Sequence, residues 1–333
     1  MPSQHVVSNL ESSHSVRLYL EVAQRHDGAR KNLLGRYMAE ALKSQDIGMK
    51  RGRVLAQLSH ARQLDIIAEG LPILLKSADE LLTAAEALDD HSRAAAILIG
   101  QATEELSKIL ILMDIVRCPP KLRGRLVGQM FKWFYEHLPR LLYAEAQGWE
   151  PMTVRQLQEY LDNSRRSHDI GGFAGEFIMP NSTLFARENR LYADIVTHED
   201  GEPMWSEPSD WAQARFGGRR TSIWYVAKAL SDLGAFSRKG LDVVSQVWGA
   251  VDFLGETECY MLPRNLTRQM LERLHAAGAI SQTAEESQLR YLYNQWQVPM
   301  YHLDFKPIQV PLEELRAAQE AALRSEIGDY EDY

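Results

Sequence analysis

The stretch His91–Lys108, HSRAAAILIGQATEELSK, decides how this chain folds. Its apolar residues recur at helical spacing and continue past its end, at Ala94, Leu98, Ala102, Leu106, Ile109 and Met113. This periodicity predicts an amphipathic helix over residues 91–115 whose wide apolar stripe faces a core. Pro119 and Pro120 follow, and neither can continue the backbone hydrogen-bond ladder, so the helix is expected to stop before them.

Three charged residues interrupt this apolar helix: Glu104, Glu105 and Lys108. The spacing places Glu105 at the core edge, where a carboxylate is costly unless it is paired or hydrogen-bonded. The alternative is that the carboxylate of Glu105 reaches water from the helix edge. Glu104 and Lys108 are four residues apart in acid-first order, which predicts an ion pair along the helix surface.

Length and composition predict a globular protein in a reducing compartment. The chain has 333 residues, 45% of them hydrophobic, which is enough for a sizeable core and more than one packing unit. It has no apolar run long enough for a transmembrane helix, and its first residues do not form a secretory signal. The two cysteines, Cys118 and Cys259, have neither metal-ligand spacing nor a disulfide pattern. We therefore expect a cytoplasmic protein without a membrane segment.

The net charge of −8 argues against bulk electrostatic attraction to nucleic acid. The charge is uneven, however, because one twenty-residue stretch holds a single acid, Glu136, among five basic residues: Lys121, Arg123, Arg125, Lys132 and Arg140. Such a local basic site on an acidic protein would bind RNA transiently and with strong salt dependence.

Helical periodicity dominates the rest of the chain. It predicts helices at 16–27, 30–45, 50–69, 71–88, 91–115, 122–137, 153–168, 209–214, 222–236, 238–252, 265–277 and 312–325. Glycines and prolines predict an irregular region at 169–208. Residues 296–304, WQVPMYHLD, are extended and proline-containing, which favours a strap across the core over a site. The chain is predicted to be all-α.

Three segments, taken together, resemble the AbiV-type abortive-infection branch of the HEPN superfamily. Ala102–Lys108, ATEELSK, is similar to that family's helix end A-x-E-E-L-G-K, with serine in place of glycine. Phe131–His137, FKWFYEH, is similar to its aromatic run closing on a histidine, and Arg187–Asp194, RENRLYAD, to its R-x-x-x-L-Y-V-D box. The resemblance implies a HEPN-type helical bundle at 62–211, preceded by a helical lead-in at 1–61 and followed by a mainly helical extension at 212–333.

The same resemblance implies defence against phage by a metal-independent endoribonuclease with no cofactor. HEPN ribonucleases typically use an R-x(4–6)-H motif, in which the histidine moves the proton of the ribose 2′-hydroxyl and the arginine stabilises charge on the phosphorus oxygens. The implied partners are RNA, a second copy of the chain in a homodimer, and a phage or antitoxin protein.

By this resemblance His137 is the candidate acid/base, and Lys132 stands five residues earlier where the motif has arginine. Lysine supplies charge but lacks the planar fork of arginine, so Arg140 or Arg125 is a candidate for that role. Residues five apart on an unbroken helix point about 140° away from each other. The pair converges only across a dimer or if the helix ends near His137, which Pro139 favours. The alternative is an interfacial histidine packed among aromatic residues.

The third segment supplies the remaining candidates. Its resemblance implies substrate contacts by Arg187, Arg190 and Tyr192, and an extended conformation would place Arg190, Tyr192 and Asp194 on one face. Positioning roles fall to Glu104, Glu105, Lys108 and Asp194. The alternative is a buried polar network in which Glu105 accepts hydrogen bonds from Arg187 or Arg190. Both interpretations predict that these residues lie close together.

Other pairs and functions compete with this interpretation. Arg53 with His60, and Arg268 with His275, are seven residues apart, so each pair shares one helix face. The competing function is a non-catalytic protein that arrests translation or binds a phage component, which the substitution at Lys132 and the acidic net charge favour. A DNA-binding regulator would need a basic recognition helix, which the segment 266–280 does not provide.

Overall fold

The computed structural model describes residues 52–89, 92–197, 201–208, 220–282 and 284–327. The chain divides into two compact units, 1–52 and 53–333, and the description that follows concerns the second. The helices expected at 16–27, 30–45 and 209–214 lie outside the described residues, as does the side chain of Arg53.

Eleven α-helices make up most of the described residues, which confirms the all-α prediction at this level. They are α1 His60–Glu86, α2 Arg93–Arg117, α3 Pro120–Trp133, α4 His137–Ala146, α5 Val154–Ser164, α6 Ser182–Leu191, α7 Ser222–Asp232, α8 Arg238–Trp248, α9 Met261–Ala276, α10 Glu286–Gln295 and α11 Leu312–Ile327. Two small antiparallel hairpins accompany them. One pairs β1 His168–Gly171 with β2 Phe177–Pro180, and the other pairs β3 Asp194–Val196 with β4 Met204–Ser206.

Helix α2 lies at the centre of the bundle. It packs against α1, α3, α4, α6, α7 and α8. Every residue from Ile109 to Arg117 is buried, so this part of the helix is enclosed on all sides rather than along one stripe. The helix ends before Pro119 and Pro120, as the sequence predicts. Among the described helices, none has both the length and the apolar composition that crossing a membrane requires.

The predicted break between helices 50–69 and 71–88 is wrong. A short 3-10 turn, Gly52–Gln57, precedes one helix, α1, which continues through Pro72. Proline removes one backbone hydrogen bond. Leu71 before it and Ala78 after it are fully buried, and this burial on both sides of the proline holds the two halves of α1 together.

The predicted helix 122–137 is wrong in its second half. Helix α3 ends at Trp133, and a turn follows in which the N–H of Tyr135 donates to the carbonyl of Lys132 at 3.0 Å. Helix α4 then begins at His137. Pro139 falls in the first turn of α4, where a backbone N–H has no acceptor within the helix, so proline costs little there.

The prediction that Arg187–Asp194 is extended is wrong, because most of this segment belongs to α6. Asn181 starts this helix: its Oδ1 accepts a hydrogen bond from the N–H of Leu184 at 3.0 Å. Only Tyr192 and the residues after it are extended, with Asp194 opening β3. Arg187 and Arg190 therefore project from a helix.

The segment 296–304 packs across the core, as predicted for a strap. Trp296, Met300 and Tyr301 are buried. The side chains of α2 hold its backbone: Asp114 Oδ2 accepts from the N–H of Met300 at 2.7 Å, and Arg117 Nη1 donates to the carbonyl of Gln297 at 2.8 Å. Helix α10, just before it, was not predicted from the periodicity.

Candidate functional site

The buried carboxylate of Glu104 connects three helices. Glu104 lies on α2 and is 2% exposed. Its Oε1 accepts from Nε of Arg187 on α6 at 2.8 Å. Its Oε2 accepts from Nδ1 of His137 at 2.8 Å and lies 3.0 Å from Nη1 of Arg140, both on α4. Segments far apart in sequence therefore meet at one charged group.

His137 is held on one side and open on the other. It is the first residue of α4, and its side chain is 48% exposed. The hydrogen bond to Glu104 assigns the proton of a neutral imidazole to Nδ1, which leaves a lone pair on Nε2. Arg140 Nη2 lies 3.1 Å from Nδ1. Because this nitrogen carries protons, it cannot accept the proton on Nδ1, and it packs beside the hydrogen bond from Nδ1 to Glu104. Arg187 Nη2 lies 3.5 Å from Nε2.

The site keeps Glu104 ionised. Burial alone would raise the pKa of this carboxyl. The hydrogen bonds from Arg187 and His137 and the charge of Arg140 outweigh burial and hold the pKa of Glu104 below its ordinary value. Burial lowers the pKa of Arg140. For Arg187 burial also acts to lower the pKa, but the hydrogen bonds and charges of Glu104 and Glu188 together outweigh it and raise the pKa.

Both arginines are positioned by additional bonds. Arg140 is 10% exposed, and its Nε donates to the carbonyl of Glu136 at 3.0 Å. Arg187 is 13% exposed, and its Nη1 also forms an ion pair with Glu188 at the surface. Two arginines and two glutamates sum to zero charge (+2 − 2), so the cluster becomes +1 when His137 binds a proton.

The predicted ion pair between Glu104 and Lys108 is wrong, because Lys108 pairs with Glu105 three residues away. Glu105 and Lys108 remain partly exposed, and Lys108 also lies 5.6 Å from the ring centre of Phe134. The network expected for Glu105 is also wrong, because Arg187 binds Glu104. The apolar stripe of α2 could not distinguish the two acids, since helices pack on more than one of its faces.

Lys132 does not reach His137. It lies in the last turn of α3, where its Nζ is 3.6 Å from Oε1 of Glu136, and both side chains are nearly half exposed. The helix does end before His137, which is the condition under which Lys132 and His137 were expected to converge. However, α4 is turned so that Arg140, and not Lys132, packs against His137. Arg140 thus occupies the place expected for Lys132.

Among the contacts of the described residues, none joins the side chain of Tyr192 or Asp194 to Glu104. Tyr192 is 57% exposed, and the Asp194 carboxylate accepts from the N–H of Ile195 at 2.8 Å. Arg190 stays on α6, where its Nε donates to the carbonyl of Ala186 at 2.9 Å. An extended segment would have aligned Arg190 with the other two residues, but the helix turns it toward α2.

A recess opens between α2, α4 and α6 beside the cluster. It is shallow and open to solvent, and Glu104 and Arg187 form part of its lining. The other lining residues include Gly100, Gln101, Leu141, Arg190 and Leu191. Arg93 holds one end of α6 in place, since its Nε and Nη2 donate to the carbonyls of Arg190 and Leu191 at 2.8 and 2.9 Å. No pattern in the sequence singles out Arg93, Gly100 or Gln101 as site residues.

In the two alternative arginine–histidine pairs, other side chains contact the histidine of one pair and the arginine of the other. The Nε2 of His60 lies 3.1 Å from Oγ of Ser245, to which Arg123 Nη2 donates at 2.8 Å. Arg268 bonds to Asn265 on α9, and His275 is exposed. Among the residues that the structure describes, no three His, Cys, Asp or Glu side chains are grouped as a metal site would need.

Comparison of this chain with protein-family models, with curated proteins and with solved structures gives no match.

Proposed function

We propose that this chain is an abortive-infection protein of the AbiV-like HEPN type, acting as a metal-independent endoribonuclease. One observation carries the proposal: buried Glu104 orients the half-exposed His137 and holds Arg140 and Arg187 against it. A carboxylate that fixes the tautomer of a histidine leaves its second nitrogen free to move a proton. The proposal assigns the protein to the cytoplasm, with RNA as a transient partner and a homodimer as the working form.

The proposed reaction uses the ribose 2′-hydroxyl as the nucleophile. Nε2 of His137 takes the proton of this hydroxyl while the 2′-oxygen forms a bond to the phosphorus. The bond from phosphorus to the 5′-oxygen breaks, and the imidazolium returns the proton to that oxygen. The products are a 2′,3′-cyclic phosphate and a free 5′-hydroxyl. Arg187, 3.5 Å from Nε2, is placed to stabilise the negative charge that develops on the phosphorus oxygens.

The test is RNA cleavage in excess chelator by the wild type, His137→Ala and a control variant, His275→Ala. His275 is an exposed residue of α9, so the control matches the chemical change at a surface remote in sequence. We expect the wild type and His275→Ala to leave cyclic phosphate ends. His137→Ala should lose at least about 100-fold of the rate, the usual contribution of general acid–base catalysis. Circular dichroism must show that both variants remain folded.

Equal cleavage by the wild type and folded His137→Ala would exclude His137 as the acid/base. Ends other than cyclic phosphate would exclude attack by the 2′-hydroxyl. Activity that appears only in extract from phage-infected cells, and only with His137 present, would agree with an enzyme that requires a trigger.

The second candidate is a non-catalytic protein that arrests translation or binds a phage component. The charge balance favours it, because Glu104 and Glu188 already neutralise Arg140 and Arg187. Plaque counts on cells that express the chain separate the two functions. Protection by His137→Ala equal to that of the wild type supports the binding protein, whereas loss of protection in this variant alone supports the enzyme.

A further inference from the structure

Helix α11 is attached to the fold through a small contact surface. It packs against the 3-10 turn Phe173–Gly175 and against β1. Of residues 312–326, whose side chains the structure describes, Leu315 alone is buried, whereas Leu323 on the same helix is 50% exposed. Burial of apolar surface is the main force that holds one element on another, so a single buried leucine makes a weak attachment.

The turn beneath α11 has a conformation that is costly without the helix. Gly172, Ala174 and Gly175 have positive φ angles of 83°, 53° and 73°. Such an angle is strained for alanine, which has a Cβ, and it persists only where surrounding contacts enforce it. Nε2 of Gln319 on α11 donates to the carbonyl of Gly175 at 2.9 Å, and a Cβ added at Gly175 would lie 3.3 Å from that of Ala322. The turn and the helix therefore stabilise each other.

The chain before α11 pairs with the residues that follow α5. The N–H of Ser167 donates to the carbonyl of Ile308 at 2.7 Å, and the N–H of Ile308 donates to the carbonyl of Arg165 at 2.8 Å. Nη2 of Arg166 donates to Oε1 of Glu314, in the first turn of α11, at 2.9 Å. The C-terminal segment thus holds all three residues after α5, through the backbone and through a side chain.

The end of α5 and the residues after it in turn position the start of α6. Nδ2 of Asn181 donates to the carbonyls of Ser164 and Arg166 at 2.8 and 2.7 Å. Oδ1 of Asn181 caps α6, and α6 carries the arginine, Arg187, that binds Glu104. Direct contacts therefore lead from α11 through Arg166 and Asn181 to the proposed active site.

We propose that α11 is a latch. Docked on the turn, it holds α6 and Arg187 in the working position; undocked, it loosens α6 and slows the proposed reaction, because Arg187 no longer stays beside His137. The inference rests on the proposed function only for its effect on RNA cleavage, since the coupling of α11 to α6 is measured without RNA. Control of the activity then lies in a helix remote in sequence from His137.

The test compares Leu315→Ala with the control Leu323→Ala by hydrogen exchange of the full chain. Both variants make the same chemical change on the same helix, but only Leu315 is buried. Leu315→Ala should speed exchange of the amides in 312–327 about tenfold or more, because truncation of a buried leucine weakens packing. Exchange in 182–191 should rise at least about fivefold, the lower end of the usual coupling between two sites. Leu323→Ala should leave both segments unchanged.

Helix α8, Arg238–Trp248, is the internal reference, and its exchange should not change in either variant. An equal rise in α8 would show that the whole bundle unfolds, which contradicts a local latch. Faster exchange in 312–327 with unchanged exchange in 182–191 would show that α11 detaches without affecting α6, and it would overturn the proposal. Unchanged exchange in both segments would overturn it as well, because Leu315 would then not hold α11.

RNA cleavage in chelator separates the latch from the proposed function. We expect Leu315→Ala to cleave more slowly than the wild type, and Leu323→Ala to cleave at the wild-type rate. Coupled exchange with equal cleavage by all three proteins would overturn the control of activity by α11. If exchange is coupled but the wild type cleaves no RNA, the ribonuclease is excluded and the coupling of α11 to α6 stands.

Discussion

At the scale of single residues, Glu104 links the stability of the fold to the chemistry of the site. A carboxylate buried to 2% exposure is destabilising unless donors surround it, and Arg187, His137 and Arg140 provide them. The same three bonds fix the imidazole and both guanidiniums. Any change at Glu104 therefore alters the folding free energy and the proposed proton transfer together.

Glu104→Gln keeps the shape of the side chain and removes its charge. We expect a loss of about 3 kcal/mol in unfolding free energy, the lower end of the cost of breaking a buried ion pair, because the guanidiniums keep some contact with water. The amide can also present its NH₂ group to His137, which would favour the wrong tautomer. Urea unfolding measures the first effect, and the cleavage rate in chelator measures the second.

The difference in unfolding free energy between the wild type and Glu104→Gln should change with pH in a direction that the ion pair determines. The pKa of Glu104 in the folded protein lies below its ordinary value of 4.5, so the ionised carboxylate stabilises the fold above that pH. This stabilisation is lost as the pH falls through the folded-state pKa. The gap between the wild type and Glu104→Gln should therefore narrow in acid, and a gap independent of pH would contradict the ion-pair assignment.

At the scale of elements, periodicity predicted where helices form better than where they end. The proline pair after α2 stopped the helix as expected, whereas Pro72 did not stop α1 and Pro139 lies in the first turn of α4. Proline has the same local chemistry in each case. What differs is how far the residues around it are buried and whether it lies in the first turn of a helix. These properties depend on tertiary packing, which a single sequence does not contain.

The face of α2 that carries the site was ambiguous for a related reason. Apolar residues surround the second half of this helix, so its stripe could not show which acid points at α4 and α6. Sequence reasoning did name Glu104, His137, Arg140 and Arg187, all through the family resemblance. The expected pairing of Glu105 with Arg187 was wrong, because the stripe of α2 could not show which acid faces α6.

Asn181 determines where α6 begins, and α6 carries Arg187. Besides capping the helix, Asn181 donates from Nδ2 to the carbonyls of Ser164 and Arg166 at 2.8 and 2.7 Å. We expect Asn181→Ala to cost about 2 kcal/mol, the sum of a lost cap and of partly buried carbonyls left without a donor. Hydrogen exchange should show faster exchange of the amides in 182–191.

Thr153→Ala is the matched control. Thr153 caps α5 through a hydrogen bond from the N–H of Gln156 at 3.2 Å. Its loss should cost about 1 kcal/mol and leave exchange in 182–191 unchanged. Equal exchange of these amides in both variants would show that α6 is held by its packing alone.

At the scale of the whole molecule, a second charged pair on α2 connects this helix to segments far apart in the sequence. Asp114 and Arg117 are both buried, and the guanidinium of Arg117 packs against the rings of Trp248 and Trp296, 4.8 and 4.3 Å from their centres. Asp114 also accepts from the hydroxyl of Tyr143 at 3.1 Å. The pair thus connects α2 to α4, to α8 and to the strap that follows α10.

A double-mutant cycle measures this connection. Asp114→Asn leaves a buried guanidinium without its counter-charge, and Arg117→Met leaves a buried carboxylate, so each should cost about 3–5 kcal/mol. The double variant should be more stable than the sum of the two losses predicts, by about 1–3 kcal/mol. Urea unfolding of the four proteins gives this coupling energy, and strict additivity would show that the two residues act independently.

Because Glu104 and Asp114 share one unbroken helix, the length of α2 between them is constrained more tightly than its composition. Ten residues separate them by about 15 Å along the axis and about 80° around it. A single inserted or deleted residue in this interval would swing one carboxylate about 100° away from its partners, whatever residue was added. The turn between α3 and α4 has no such limit, since a loop can absorb an extra residue. Length changes are therefore expected to be tolerated at 134–136 and excluded from 105–113.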